Sequence, residues 1–272
     1  MVFSKVGVIG LGRFGRYWGK VLGENSVSPL EVFGASRKIY DDLPSVIKQV
    51  PLEEVCRLPL VFLSVPISSM PEMLQKISPL LGKDTVVADT CSVKVYPVLW
   101  MKKYLPEDTP ILATHPMFGP ESGKFSVKGL AIMMSNIRMS DEDFNWWKSL
   151  FTGMGMEVSE MSPVEHDRQA AYSQALTHLV GRTLNTLGMK ETRIATRWYQ
   201  DLLGICRQVA RDSQELFDDM ENLNPFAVSM RHSYEEAYSR VLRELDETCP
   251  SFPDLREELE GLVPGDILGG DS

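Results

Sequence analysis

Apolar residues along this chain fall into two rhythms. Short, nearly continuous apolar runs stand at Lys5-Val6-Gly7-Val8-Ile9, Leu30-Glu31-Val32-Phe33-Gly34-Ala35, Leu60-Val61-Phe62-Leu63-Ser64-Val65 and Thr85-Val86-Val87-Ala88-Asp89. Runs of that length without strict alternation read as strands buried on both faces. Stretches with helical spacing follow: Tyr17, Trp18, Val21 and Leu22 after the first run, Met70 to Leu81 after the third, Val93 to Tyr104 after the fourth. Ile111-Leu112-Ala113 ends a further strand, and Leu130 to Met134 and Met156 to Met161 read as two more. Between those two, Asp141-Glu142-Asp143 opens a helix that carries Trp146 and Trp147. Strands alternating with helices predict an α/β domain on a largely parallel sheet.

From Ser162 the period stays helical. Ser162 and Glu165 form a capping box with Pro163 at the first helical position. The helix is expected to run to Leu187 and stop near Gly188, with Val164, Ala171, Ala175, Leu179, Leu184 and Leu187 as its apolar face. Asp167, Gln174, His178 and Arg182 follow one another at spacings of seven, four and four, which predicts one polar stripe. Glu191 to about Leu262 is rich in helix formers at heptad-like spacing, and Pro264 to Ser272 reads as a mobile tail. The expected organisation is an α/β domain over residues 1–162 and an all-α domain over 163–272, the stripe facing the cleft between them.

The first strand runs directly into Gly10-Leu11-Gly12-Arg13-Phe14-Gly15, with a helix behind it. A GxGxxG in that setting is a dinucleotide fingerprint. The first glycine makes the turn, the second lets the backbone approach a pyrophosphate, and the third lets helix and strand pack closely. The first domain is therefore expected to be of the Rossmann type. The second strand ends in Ser36-Arg37-Lys38 rather than in the acidic residue that binds a ribose 2′-hydroxyl. A hydroxyl and two cations there suit a 2′-phosphate, so NADP is the expected cofactor and NAD the alternative. Ser64-Val65-Pro66, Asp89-Thr90-Cys91-Ser92 and Thr114-His115-Pro116 close three successive strands and should converge on the nicotinamide. A histidine at such a strand end can exchange a proton near neutral pH.

Composition narrows the class without changing it. With 43% apolar and 24% charged residues the chain is an ordinary globular protein. A net charge of −9 argues against a nucleic-acid surface, and no apolar run approaches the roughly 18 residues of a membrane span. Cys56, Cys91, Cys206 and Cys249 form no CxxC pair, so neither a disulfide framework nor a metal site is expected. With no basic, apolar leader ahead of the first strand, the expectation is a cytoplasmic enzyme with free thiols and a homodimer formed through its helices.

Taken in order, Gly10–Gly15, Asp89-Thr90-Cys91-Ser92-Val93-Lys94, His115 to Gly123, Glu165-His166-Asp167 and Ser173-Gln174-Ala175-Leu176-Thr177-His178 resemble the prephenate and arogenate dehydrogenases of tyrosine biosynthesis, and the plant-type arogenate branch most of all. The resemblance covers Val6 to about Tyr238. It implies oxidation of a cyclohexadienol ring by a nicotinamide with loss of the ring carboxylate as CO2, giving tyrosine from arogenate or 4-hydroxyphenylpyruvate from prephenate. It also implies that His115 takes the C4 hydroxyl proton and that Ser92 positions that hydroxyl. Gln174 and His178 would line the substrate wall, with Glu121 near the cleft mouth. Bacterial members bind the ring carboxylate with an arginine that has no match here; Arg182, Arg197, Arg207 and Arg211 are candidates, Arg182 favoured by its place on the stripe. Asp167, on the same stripe, is expected to meet the ammonium of arogenate. His166 and His232 are read as structural or surface residues. A general β-hydroxyacid dehydrogenase would need a helix lysine, and none stands between Ser162 and Met189. A non-catalytic NADP-binding sensor would have lost His115, Ser92 and His178, and all three are present.

Overall fold

The computed structural model describes residues 4–26 and 30–248. Eight strands make one sheet in the order β3-β2-β1-β4-β5-β6-β7-β8. They are β1 (Lys5–Ile9), β2 (Glu31–Ala35), β3 (Ile47–Gln49), β4 (Leu60–Leu63), β5 (Val86–Asp89), β6 (Ile111–Pro116), β7 (Ala131–Arg138) and β8 (Glu157–Glu160). β1 to β6 are parallel along that order, β7 pairs antiparallel to β6, and β8 runs parallel to β7.

Both faces of the sheet are covered, which explains the unbroken apolar runs. Val6, Val8, Leu60, Phe62, Val86, Ala88 and Leu112 point to one side, where α1 (Arg13–Asn25) and α5 (Asp141–Gly153) pack. Trp18 of α1 lies edge-on to Phe62 at 5.5 Å, and Phe62 lies edge-on to Trp147 of α5 at 6.1 Å. Ile9, Val61, Leu63, Val87, Ile111 and Ala113 point to the other side, against α2 (Leu52–Val55), α3 (Met70–Ile77) and α4 (Val95–Tyr104). Three-residue β3 and one-turn α2 carry too few periodic positions to be seen in the sequence.

Helices follow from Pro163: α6 (Pro163–Ala170), α7 (Leu176–Thr186), α8 (Arg197–Val209), α9 (Gln214–Asn222) and α10 (Ala227–Thr248). Ser162 Oγ accepts the Glu165 N–H at 3.2 Å, and Ser140, Thr196 and Ser213 cap α5, α8 and α9 in the same way; each such cap stabilises its helix by about 1 kcal/mol. The helix expected from Ser162 to Leu187 is interrupted: Ala171–Ala175 is a π-helical turn between α6 and α7. Sheet and helices up to Arg231 form one compact unit, and the rest of α10, from His232, belongs to a second. The expected tail, Pro264 to Ser272, lies outside the described residues.

The turn after β1 requires glycine at two positions. Gly10 has φ +98°, and a Cβ on Gly15 would stand 1.8 Å from the Gly10 carbonyl oxygen, whereas a Cβ on Gly12 would meet nothing within 4 Å. Gly15→Ala should therefore cost about 1–3 kcal/mol and lower Tm by several degrees, roughly 2–4 °C per kcal/mol. Gly12→Ala should leave Tm nearly unchanged. Equal melting temperatures for the two variants would refute this account of the turn.

Candidate active site

Beyond the carboxyl ends of β1, β2 and β4 lies a cavity of about 570 Å³. Gly10, Leu11 and Gly12 line it from one strand end, Ser36, Arg37 and Lys38 from the second, and Ser64, Val65 and Pro66 from the third, so three sequence-predicted groups share one wall system. α1 begins at this cavity with Gly12 as its N-cap, no side-chain cap and no acidic residue in its first turn. Its first N–H groups are thus available to an anion. Arg37 and Lys38 have no carboxylate partner among the described residues. An open glycine, an uncapped helix start and two unpaired cations fit the phosphates of a dinucleotide. Phe14 turns the other way, with its ring 6.2 Å from that of Trp18 and stacked on it.

β5 and β6 continue the same edge, and their ends are tied together below the surface. Lys94, fully buried, bonds through Nζ to Asp89 and to the Thr114 carbonyl. Asp89 also accepts the N–H groups of Cys91 and Thr114, at 3.1 and 3.3 Å. His115 follows at once, 4% exposed. Its Nδ1 lies 2.8 Å from His166 Nε2, and His166 Nδ1 lies 2.8 Å from Asp167 Oδ1. The carboxylate assigns the protons: His166 donates from Nδ1, its Nε2 accepts from His115 Nδ1–H, and the lone pair of His115 is left on Nε2. Burial first, then the neighbouring His166 and Lys94, hold the His115 pKa well below 6.5, so the ring is neutral and ready to accept a proton. Ser92 Oγ, on the β5 loop, is buried without a hydrogen-bond partner among the described residues.

The opposing wall comes from the π-turn, α7 and the α8–α9 turn. Gln174 Oε1 and His178 Nδ1 are buried and have no hydrogen-bond partner among the described residues. His178 Nε2 stands 3.8 Å from Asp212 Oδ2. Burial lowers the His178 pKa, opposed by Asp212 and aided by Arg182. At the mouth, Glu121 is clasped by Arg13 at 2.9 Å and Arg211 at 2.7 Å.

The chain is 33% identical over 252 residues to arogenate dehydrogenase 2, chloroplastic, of Arabidopsis thaliana, an alignment covering 89% of this chain and 70% of the relative. The chain belongs to the prephenate and arogenate dehydrogenase family. Arogenate dehydrogenase 1 of the same plant is 32% identical over 256 residues, and there the chain spans 39% of the relative's length. The model of the prephenate dehydrogenase nucleotide-binding domain matches residues 40–136, and that of a TYRAAT1-like C-terminal domain matches 183–253. Among solved structures, prephenate dehydrogenase from A. aeolicus, in complex with hydroxyphenyl propionate and NAD+, superposes with a TM-score of 0.69 at 20% identity, covering 96% of each chain. Synechocystis arogenate dehydrogenase gives 0.64 at 18% identity, covering 94% and 96%. Both share the fold.

Within this family fold, two expectations need correction. Asp167 does not face the cleft. It is wholly buried, and its oxygens accept the Lys94 and Val95 N–H groups, at 2.6 and 2.8 Å, besides His166. The π-turn inserts an extra residue per turn between Asp167 and Gln174, which rotates the two ends of the expected stripe apart. Arg182 is engaged by Gln214 Oε1 at 2.7 Å and by the Asp212 and Ser213 carbonyls, with Phe217 under its guanidinium, so it braces the α8–α9 turn. His166, expected to be structural or at the surface, is buried and links His115 to Asp167; its place beside Asp167 in the Glu165-His166-Asp167 motif was the signal available. Lys94 stands in the Asp89–Lys94 motif, five residues from its partner Asp89, whereas Asp212 gave no comparable signal, since Arg13 lies 199 residues away.

A histidine held neutral by the fold, with a pKa below its unfolded value, binds fewer protons folded than unfolded, so stability rises with pH through that interval. It is undiminished above about 6.5 and falls as pH drops below it. Thermal unfolding of the wild type should lose several degrees between pH 7 and 5, and His115→Asn should flatten part of that slope. Parallel slopes would show that His115 is not held neutral.

Proposed function

We propose that this chain catalyses the NADP-dependent oxidative decarboxylation of arogenate to tyrosine. The observation that supports it most is the directed chain from Asp167 through His166 to His115, which leaves a basic lone pair on the sheet edge that also carries the dinucleotide cavity, two strands from β4. A nicotinamide, when bound, supplies the hydride acceptor. His115 Nε2 takes the proton of the C4 hydroxyl as the C4 hydride leaves, and Ser92 Oγ holds that oxygen. As the ring carboxylate departs as CO2, its bonding pair completes the aromatic ring and the proton returns to the phenol oxygen. Aromatisation makes the sequence one-way. Gly10, Leu11, Gly12, Arg13, Phe14 and Gly15 place the helix start against the pyrophosphate, with Arg37 and Lys38 on the 2′-phosphate.

Arogenate differs from prephenate by an ammonium in place of a keto group. Asp212, partly open beside His178, is the carboxylate available to it, the role first expected of Asp167. In this reading residues 1–162 carry the dinucleotide, and the following helices supply the substrate wall and a homodimer contact. Support for the dimer comes from exposed Leu187, Ile194, Trp198 and Leu202, and separately from Tyr238, Val241, Leu242 and Leu245 on α10; sedimentation equilibrium checks it. Three buried free thiols suit a reducing compartment such as the cytoplasm. Among the described residues no helix is long and apolar enough to cross a membrane.

The kcat/KM matrix of arogenate and prephenate with NADP and NAD should favour arogenate with NADP. Asp212→Asn should cut the arogenate value by roughly 10- to 100-fold, as expected for loss of a hydrogen bond to a charged group, and prephenate much less. A wild-type preference for prephenate overturns the substrate assignment. His115→Asn should lower kcat by about 10²–10⁴-fold while NADP affinity stays within about two-fold; Arg37→Glu should instead weaken NADP and spare NAD. Unchanged turnover in the first variant removes His115 from the chemistry, and unchanged NADP preference in the second ends the 2′-phosphate argument.

A further inference from the structure

Arg13 belongs to two sites at once. It is the first residue of α1, directly after the open glycine of the phosphate turn. Yet its guanidinium reaches outward: Nη2 bonds Glu121 Oε1 at 2.9 Å, and Nη1 bonds the Arg211 carbonyl at 3.2 Å and Asp212 Oδ1 at 3.5 Å. Arg211 Nη1 bonds the second oxygen of Glu121 at 2.7 Å, and the second oxygen of Asp212 is the one near His178. A single line of polar and charged groups, His178–Asp212–Arg13–Glu121–Arg211, thus joins the substrate wall to the start of the phosphate-binding helix.

We propose that Arg13 couples the two sites, so that dinucleotide binding raises affinity for a ligand carrying an ammonium group. The proposal rests on the function proposed above. A pyrophosphate at the α1 N-terminus brings negative charge next to Arg13 and competes with its carboxylate partners. The Asp212 contact is the longest of the three and yields first, whereas Glu121 keeps its bond to Arg211. Asp212 is then freed for an incoming ammonium, while Glu121 stays anchored at the mouth. Thermodynamic linkage makes the effect reciprocal: an ammonium ligand that draws Asp212 from Arg13 leaves Arg13 to the phosphates. Arg13 acts here as a positioning residue, in addition to its own contact with phosphate.

Calorimetric titration of the full chain tests this, with NADP alone, L-tyrosine alone, and each in the presence of the other at saturation. In the wild type each ligand should tighten the other by the same factor, about five-fold or more. In Arg13→Met both ligands should still bind, with the factor collapsing towards one. In Glu121→Gln, Arg13 keeps its own contact with phosphate but loses its shortest carboxylate partner, so NADP alone should bind at least as tightly as in the wild type, while the factor falls. Equal thermal stability of the two variants and the wild type excludes misfolding. The inference is overturned if Arg13→Met weakens NADP but keeps the full factor, or if the wild type shows no mutual tightening. Failure of L-tyrosine to bind the wild type at all overturns the substrate reading, and the coupling with it.

Discussion

The carboxylate of Asp167 is the constraint on which the site depends. A carboxylate wholly removed from water is tolerated only when donors replace its hydration. Three do so: the Lys94 and Val95 N–H groups at the start of α4, and His166 Nδ1. α4 has no side-chain cap of its own and no acidic residue in its first turn, so the charge that its N-terminus favours comes from α6 instead. The same atom group therefore docks the helices on the sheet and orients the proton chain that ends on His115. Asn224 adds a second fastening by donating to the Asp167 carbonyl at 2.8 Å.

Lys94 joins this arrangement to the sheet. Its backbone meets Asp167 and its side chain meets Asp89 and the Thr114 carbonyl, which fastens the ends of β5 and β6 immediately before His115. A positive charge held there, partly balanced by Asp89, opposes protonation of His115. The His115 ring is thus kept neutral by burial and by its neighbours together, rather than by any single contact. The opposite wall follows a different logic: its charges lie near the surface, where each pair contributes little to stability and can exchange partners at small cost.

Much of this was legible in the chain alone. The unbroken apolar runs of β1, β4 and β5 announce a sheet covered on both faces, and GxGxxG between a strand and a helix announces what the sheet carries. The grouping of Gly12, Arg37 and Val65 around one cavity followed from strand order, because parallel strands place their carboxyl ends on one edge. The placement of Asp167 did not follow. A stripe computed at helical spacing assumes one continuous period, and a single π-turn at Ala171–Ala175 breaks it. Nothing in Ala171-Tyr172-Ser173-Gln174-Ala175 signals that turn, since its residues suit an α-helix equally well.

Local sequence by itself determined the elements, the glycine turn after β1 and the histidine at the end of β6, because those depend on neighbours within a few residues. Only the tertiary structure decided how that histidine is oriented and which acids are buried. Those outcomes depend on pairs such as His115 with His166 and Arg13 with Asp212, 51 and 199 residues apart. Such pairs are chosen by packing and by the need to satisfy buried charge, and no local period records them.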